Sequence, residues 1–167
     1  GCLVVNTDGS GYKFENNKVV TNSSESVTLT MAGAALQTAD DYNNFSIYFT
    51  FSGVSYVRKI LDSSFAGSNA TLTLNATVPA LSGTITANVA PFATINGDGH
   101  GAEVVLTANS ADSDAIGGVT VVSGGNSYTT ATLTVSTQGD TAHGTGASIT
   151  PIIPPKGGHG YDSVAAL

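Results

Sequence analysis

In stretch after stretch of this chain, apolar side chains alternate with small polar ones, a period of two that suits a pleated strand with one buried face. Val27, Leu29 and Met31 alternate with Ser26, Thr28 and Thr30, and Phe45, Ile47, Phe49 and Phe51 alternate with Ser46, Tyr48 and Thr50. Leu72 and Leu74 continue the pattern, as do Ile85, Ala87 and Val89, then Val104, Leu106 and Ala108, then Ala131, Leu133 and Val135. Threonine on the polar face favours this geometry because its branched Cβ fits a strand better than a helix. The pattern predicts an all-β chain: an antiparallel β-sandwich or meander, with room for two small β subdomains.

The sharpest local prediction is a hairpin over 45–61. Ser52-Gly53 fits a two-residue turn in which glycine supplies the positive φ. That turn pairs Phe51 with Val54 and Phe49 with Tyr56, and it sets Arg58 opposite Ile47. An arginine there either lays its stem over the apolar face with its head in water, or a bulge shifts the register; the first is preferred. Ala32, Ala35, Leu36 and Ala39 have helical spacing, but Gly33 interrupts them, so a short helix and a turn are both compatible. Three segments are expected: a sandwich-like domain over 1–90, a glycine-turn β-meander over 91–150, and an extended Pro/Gly arm over 151–167. The prolines of Pro151-Ile152-Ile153-Pro154-Pro155 remove ladder donors and rule out a central strand.

Composition narrows function mainly by exclusion. Lysine and arginine number 5 against 12 acids, for a net charge of −7. The cations Lys13, Lys18, Arg58, Lys59 and Lys156 are scattered, so no patch can neutralise phosphates, and neither nucleic acid nor an anionic membrane is an expected partner. No apolar run approaches the ~20 residues that span a bilayer. The opening Gly-Cys-Leu-Val-Val lacks the basic region of a secretory leader, and Gly at position 1 suggests a processed piece of a longer chain. Cys2 is the single cysteine, which leaves no intrachain disulfide and no zinc–thiolate site.

Residues with chemical potential are spread over separate turns. His100, His143 and His159 each adjoin glycine without HxH or HExxH spacing, so no metal site is predicted. Asn6-Thr7-Asp8-Gly9-Ser10-Gly11 and Asn96-Gly97-Asp98-Gly99-His100 superficially resemble calcium loops but lack the downstream bidentate acid; Asn or Asp before Gly is also ordinary turn chemistry. Asp40-Asp41, and Asp112 with Asp114, could be imagined as acid/base pairs, yet nothing fixes their separation. No Gly-x-Ser-x-Gly elbow occurs, and the glycine-rich segments do not open helices that could cradle phosphate. Asn22, Asn44, Asn69 and Asn75 each begin an Asn-x-Ser/Thr triplet, and Tyr12, Tyr42, Tyr48, Tyr56, Tyr128 and Tyr161 could line a sugar-binding face, although core and strand-edge roles are the default for them. No enzyme activity and no cofactor is expected.

An internal echo remains. Gly99-His100-Gly101-Ala102 precedes Glu103-Val104-Val105-Leu106, and Gly144-Thr145-Gly146-Ala147 precedes Ser148-Ile149-Thr150. Between them lies Gly117-Gly118-Val119-Thr120-Val121-Val122-Ser123-Gly124-Gly125-Asn126-Ser127-Tyr128. Gly53, Gly99, Gly101, Gly124, Gly125, Gly144 and Gly146 are expected at chain reversals.

The run over 92–150 resembles a β-module common in tailed-phage virion proteins. Pro154-Pro155-Lys156-Gly157-Gly158-His159-Gly160-Tyr161-Asp162 is similar to a signature in baseplate wedge proteins of T4-type phages, above all their cyanophage branch, although Ser163 stands where proline usually follows. The resemblance covers about 70 residues. It implies a non-enzymatic virion component of the tail or baseplate that contacts other virion proteins and can self-associate. Lys156, Gly157, Gly158, His159, Gly160 and Tyr161 would be its partner contacts, with His159 as a hydrogen-bonding plug. The alternative is a carbohydrate-binding or adhesin module on a phage fibre or cell surface.

Overall fold

The computed structural model describes residues 3–139 and 142–152. The described chain is all-β, as expected. In chain order the strands are β1 (Leu3–Ser10), β2 (Glu15–Thr21), β3 (Ser26–Met31), β4 (Phe45–Phe51), β5 (Val54–Ala66) and β6 (Asn69–Val78). They continue with β7 (Ile85–Pro91), β8 (Ala93–Gly97), β9 (His100–Ala108), β10 (Ile116–Asn126), β11 (Ala131–Val135) and β12 (Thr145–Pro151).

β2, β3, β6, β5, β4 and β7 close, in that order, into an antiparallel barrel. Its interior holds Leu29, Met31, Phe45, Ile47, Phe49, Ile60, Leu72, Leu74 and Val89, all buried. The apolar positions of the alternating stretches supply this core, so periodicity alone located much of it. Closure into a barrel, instead of two facing sheets, removes every free edge from this part of the chain.

The predicted hairpin forms with the expected register: Phe51 pairs with Val54, Phe49 with Tyr56 and Ile47 with Arg58. Ser52 and Gly53 both take positive φ, 52° and 76°. Arg58 stays in register. Its guanidinium caps the Thr77 carbonyl through Nε at 3.1 Å and Nη2 at 2.8 Å, and lies over the Tyr56 ring. A bulge does occur, but on the other edge of β5, where pairing with β6 shifts between Ile60 and Asp62. The shift changes which residues face inward. Ile60 is buried, Leu61 is half exposed, and Ser63 is buried again. A comparable shift between Ser26 and Thr28 exposes Val27, which simple alternation had placed inside.

The segment with helical spacing over 32–39 forms bends and turns, without a helix. Its amide donors are taken by partners distant in sequence. Ala34 N–H donates to the Ser68 carbonyl at 2.9 Å, Ala35 N–H to Glu15 Oε1 at 3.1 Å, and Leu36 N–H to Tyr42 Oη at 3.0 Å. With Gly33 at φ 66°, those bonds replace a helical ladder. The Tyr42 hydroxyl in turn donates to Glu15 Oε2, so a buried carboxylate ties this segment to β2.

The remaining strands form three two-stranded antiparallel ribbons: β1–β12, β9–β10 and β8–β11. A meander over 91–150 would pair neighbours in sequence, and only β9–β10 does so. β1 belongs with these ribbons through its pairing with β12, although the expected division placed it in 1–90. The ribbons enclose a second, smaller core of Tyr12, Ala90, Ala93, Val104, Leu106, Ile116 and Ile149. Lys156 to Tyr161, and the expected arm beyond residue 152, lie outside the described residues.

Candidate functional site

The ribbons are built twice on one plan. In β1–β12, Ser10 pairs with Thr145 and Asp8 with Ala147, and the register shifts between Val5 and Thr7. In β9–β10, Asn126 pairs with His100 and Gly124 with Ala102, and the register shifts between Val121 and Ser123. β1 therefore corresponds to β10, and β12 to β9. The third ribbon joins the copies: Ile95 pairs with Leu133, flanked by Thr94 with Thr134 and Asn96 with Thr132.

A tyrosine clasps each copy. The Tyr12 ring lies against the backbone of Gly9 and Gly144, and Tyr128 lies against Gly125 and Gly99. A Cβ at Gly9 would come within 2.6 Å of Tyr12 Cε2, and one at Gly144 would enter the same ring. A Cβ at Gly99 would meet Tyr128 Cγ at 2.5 Å. Across the clasps, Gly146 faces the Gly9 Cα and Gly101 faces the Gly125 Cα. At Gly9, Gly99, Gly125 and Gly144 two backbones and a ring share one layer, a spacing that any side chain would fill, whereas Gly101 and Gly146 hold φ of 82° and 87°. Both tyrosines are 3% exposed. Ala147 N–H donates to the Tyr12 hydroxyl at 3.2 Å.

Just beyond each clasp a side chain holds the departing chain. Asp98 accepts from Thr129 N–H at 2.8 Å, Thr130 N–H at 3.1 Å and the Thr129 hydroxyl. Those bonds, the hydroxyl first, hold its carboxyl well below the usual carboxylate range. In the other copy the buried Gln138 does the same work: Lys13 N–H donates to its Oε1 at 2.8 Å, and its Nε2 donates to the Lys13 carbonyl at 2.7 Å. After Tyr128 the link to β11 is Thr129-Thr130. After Tyr12 the chain instead runs through the whole barrel and returns at Pro91 to β8. The barrel thus occupies the place of a short link in a duplicated ribbon unit.

The expected turn glycines divide accordingly. Gly53 forms its hairpin turn, Gly99 lies in the β8–β9 reversal, and Gly144 leads into β12. Gly101, Gly124, Gly125 and Gly146 lie within strands. Gly125 is required by close approach, since a Cβ there would meet the His100 carbonyl at 2.4 Å, whereas Gly101 and Gly146 are required by φ of 82° and 87°. The sequence echo of 99–102 and 144–147 was visible; its complement, Gly9-Ser10-Gly11-Tyr12 against Gly125-Asn126-Ser127-Tyr128, was missed. Tyr after a Gly-x-x or Gly-x-Gly step was the available signal.

The other candidates do not converge. Among the described residues no group of three or more His, Cys, Asp and Glu side chains could hold a metal ion. His100 is exposed at the start of β9. His143 Nε2 stands 3.8 Å from Asp41 Oδ1, a contact between the ribbons and the loop before β4. His159 lies outside the described residues. The first calcium-like segment is strand, its side chains engaged across the ribbons: Asn6 Nδ2 donates to Thr150 Oγ1 at 2.6 Å, and Asp8 Oδ2 accepts from Asn109 Nδ2 at 3.2 Å. Asp112 Oδ1 accepts from Asp114 N–H at 3.1 Å, and Asp40 Oδ1 from Asn43 Nδ2 at 3.2 Å. Each is a local turn bond.

Comparison with models of known families, with curated proteins and with solved structures finds no match.

Proposed function

We propose that this chain is a structural module of a tailed-phage virion, part of its tail or baseplate, which docks other virion proteins and carries out no catalysis. The observation that carries the reading is the contrast in strand edges. Among the described residues, each barrel strand has two hydrogen-bonded neighbours, while each ribbon strand is hydrogen-bonded along one edge only. Open edges offer backbone donors and acceptors to a partner strand, the usual means of joining β modules. The glycine pattern over 92–150 that resembles phage virion modules coincides with these ribbons. Self-association through the same edges belongs to the proposal.

Cross-linking mass spectrometry on purified virions of the phage that encodes the chain tests it. Cross-links from residues of β8–β12 to other virion subunits are expected. A purified virion that lacks the chain, or cross-links confined to the barrel, would overturn it.

A further inference from the structure

Where the ribbons lie against the barrel wall they leave a cleft of about 460 Å3, lined by Phe14, Tyr48, Val89, Leu106 and several neutral polar residues. We infer that this cleft is a binding site for a neutral saccharide. The inference does not depend on the assembly reading, because a docking module can carry a sugar site or lack one.

Three observations point to that ligand class. The first is aromatic surface. Tyr48 is an outward-facing residue of β4, between inward-facing Ile47 and Phe49, and it is half-buried where it lines the cleft. With Phe14 it gives the cleft two rings, and flat apolar rings with a polar tip suit the C–H face of a pyranose.

The second is the polar lining. Asn16, Asn17, Asn88, Thr107 and Thr120 all contribute, and none of the lining residues is charged. Amides and hydroxyls both donate and accept, which matches a ligand made of hydroxyl groups. A phosphate or an acidic sugar would meet no cation here, and a basic peptide no carboxylate.

The third is preorganisation. Asn17 has a positive φ of 57°, at the place where β2 slips register against β7 between Glu15 and Lys18. Its N–H donates to Asn88 Oδ1 at 2.9 Å. That bond fixes the Asn88 amide, so its NH2 group faces away from Asn17 as a placed donor. The volume falls within the roughly 300–1,000 Å3 usual for small-ligand sites.

The test is saturation-transfer and 1H–15N NMR on the full chain with maltohexaose, cellohexaose, laminarihexaose and mannohexaose as probes. At least one is expected to shift amides of Asn17, Asn88 and Thr107 and to take saturation from the Tyr48 ring. Tyr48→Ala should weaken that binding by roughly tenfold or more, as truncation of a central aromatic contact does. Tyr48→Phe should retain binding to within about threefold, since the ring remains. Asn88→Ala should also weaken it, with the amide spectrum elsewhere unchanged to show that the barrel is intact. The proposal fails if none of the four probes binds. It also fails if binding survives both Tyr48→Ala and Asn88→Ala in folded protein, or if a strand-forming peptide shifts these amides while the sugars do not.

Discussion

Among the described residues, each barrel strand is bonded on both sides and buries large side chains, whereas each ribbon strand is bonded on one side and the core is made of smaller groups. Leu, Ile, Met and Phe side chains, fully buried, fill the barrel. The ribbon core buries Ala90, Ala93 and Val104 beside Leu106, Ile116 and Ile149, and adds a tyrosine laid flat on glycine in each copy. One alternating pattern thus supports two kinds of stability. Where apolar volume is plentiful, packing determines the fold. Where it is scarce, backbone proximity does, and glycine becomes as specific as any core residue.

The largest expected effect belongs to the packed region. Phe45 is fully buried in the barrel and stacks edge-on against Tyr42. Phe45→Ala should destabilise the barrel by roughly 3–5 kcal/mol, the usual range for a large aromatic removed from a core. Hydrogen exchange sharpens the comparison. Barrel amides should lose protection first, and the β1–β12 ribbon should follow, because a loosened barrel lengthens the loop that separates its strands. The β9–β10 hairpin, closed by a short local connection, should keep its protection. Equal loss in all three would show a single cooperative unit and end the distinction.

The clasp gives the next effect. At Gly144, φ is 85° and a Cβ would enter the Tyr12 ring. Gly144→Ala should cost about 2–4 kcal/mol, from left-handed strain together with displacement of the ring. Gly53 has a similar φ of 76° but open space around it, so Gly53→Ala should cost only about 1–2 kcal/mol. Chemical denaturation of the two variants checks the difference. Equal losses would mean that the clasp adds nothing beyond backbone strain.

These two regions were not equally legible in the sequence. The barrel's core and its Phe45–Leu61 hairpin followed from alternation and a Ser-Gly turn, because period two and turn chemistry are local properties. Val27 broke the pattern at one bulge and Ser63 turned inward after another, because a bulge inserts a residue without leaving a composition signal. The 32–39 segment broke it because Glu15 and Tyr42, far away along the chain or beyond its end, supply the partners that its amides need. In the ribbons, Gly99 and Gly144 stand at the entries to β9 and β12, while Gly125 serves a close approach inside a strand. A reversal and a close approach both demand a missing Cβ, and only pairing between β1 and β12, from opposite ends of the described chain, separates the two. The aromatic–amide cleft was equally hidden: Phe14 precedes β2, Tyr48 lies on β4 and Asn88 on β7, with no shared spacing. Alternation marks Tyr48 only as a polar-face residue of its strand and as one of six tyrosines.

The smallest effect concerns the buried Glu15–Tyr42 pair, which has no counterpart in the ribbons. Burial, and then the hydrogen bond to the Glu15 carboxylate, raise the Tyr42 hydroxyl well above its ordinary range. In the unfolded chain that hydroxyl ionises near pH 10, while in the folded barrel it keeps its proton. Above that pH the folded state binds the extra proton, so stability must fall as pH rises. The contribution is fully present below pH 10 and is lost from there upward, at a slope approaching 1.4 kcal/mol per pH unit for one group. Tyr42→Phe removes the group and should flatten this part of the alkaline profile, even though the variant is less stable at neutral pH. Denaturant melts at pH 8, 10 and 11 on the wild type and Tyr42→Phe read it directly. If Tyr42→Phe keeps the wild-type slope, the loss comes from elsewhere in the chain, and the pair does not set the barrel apart from the ribbons in alkali.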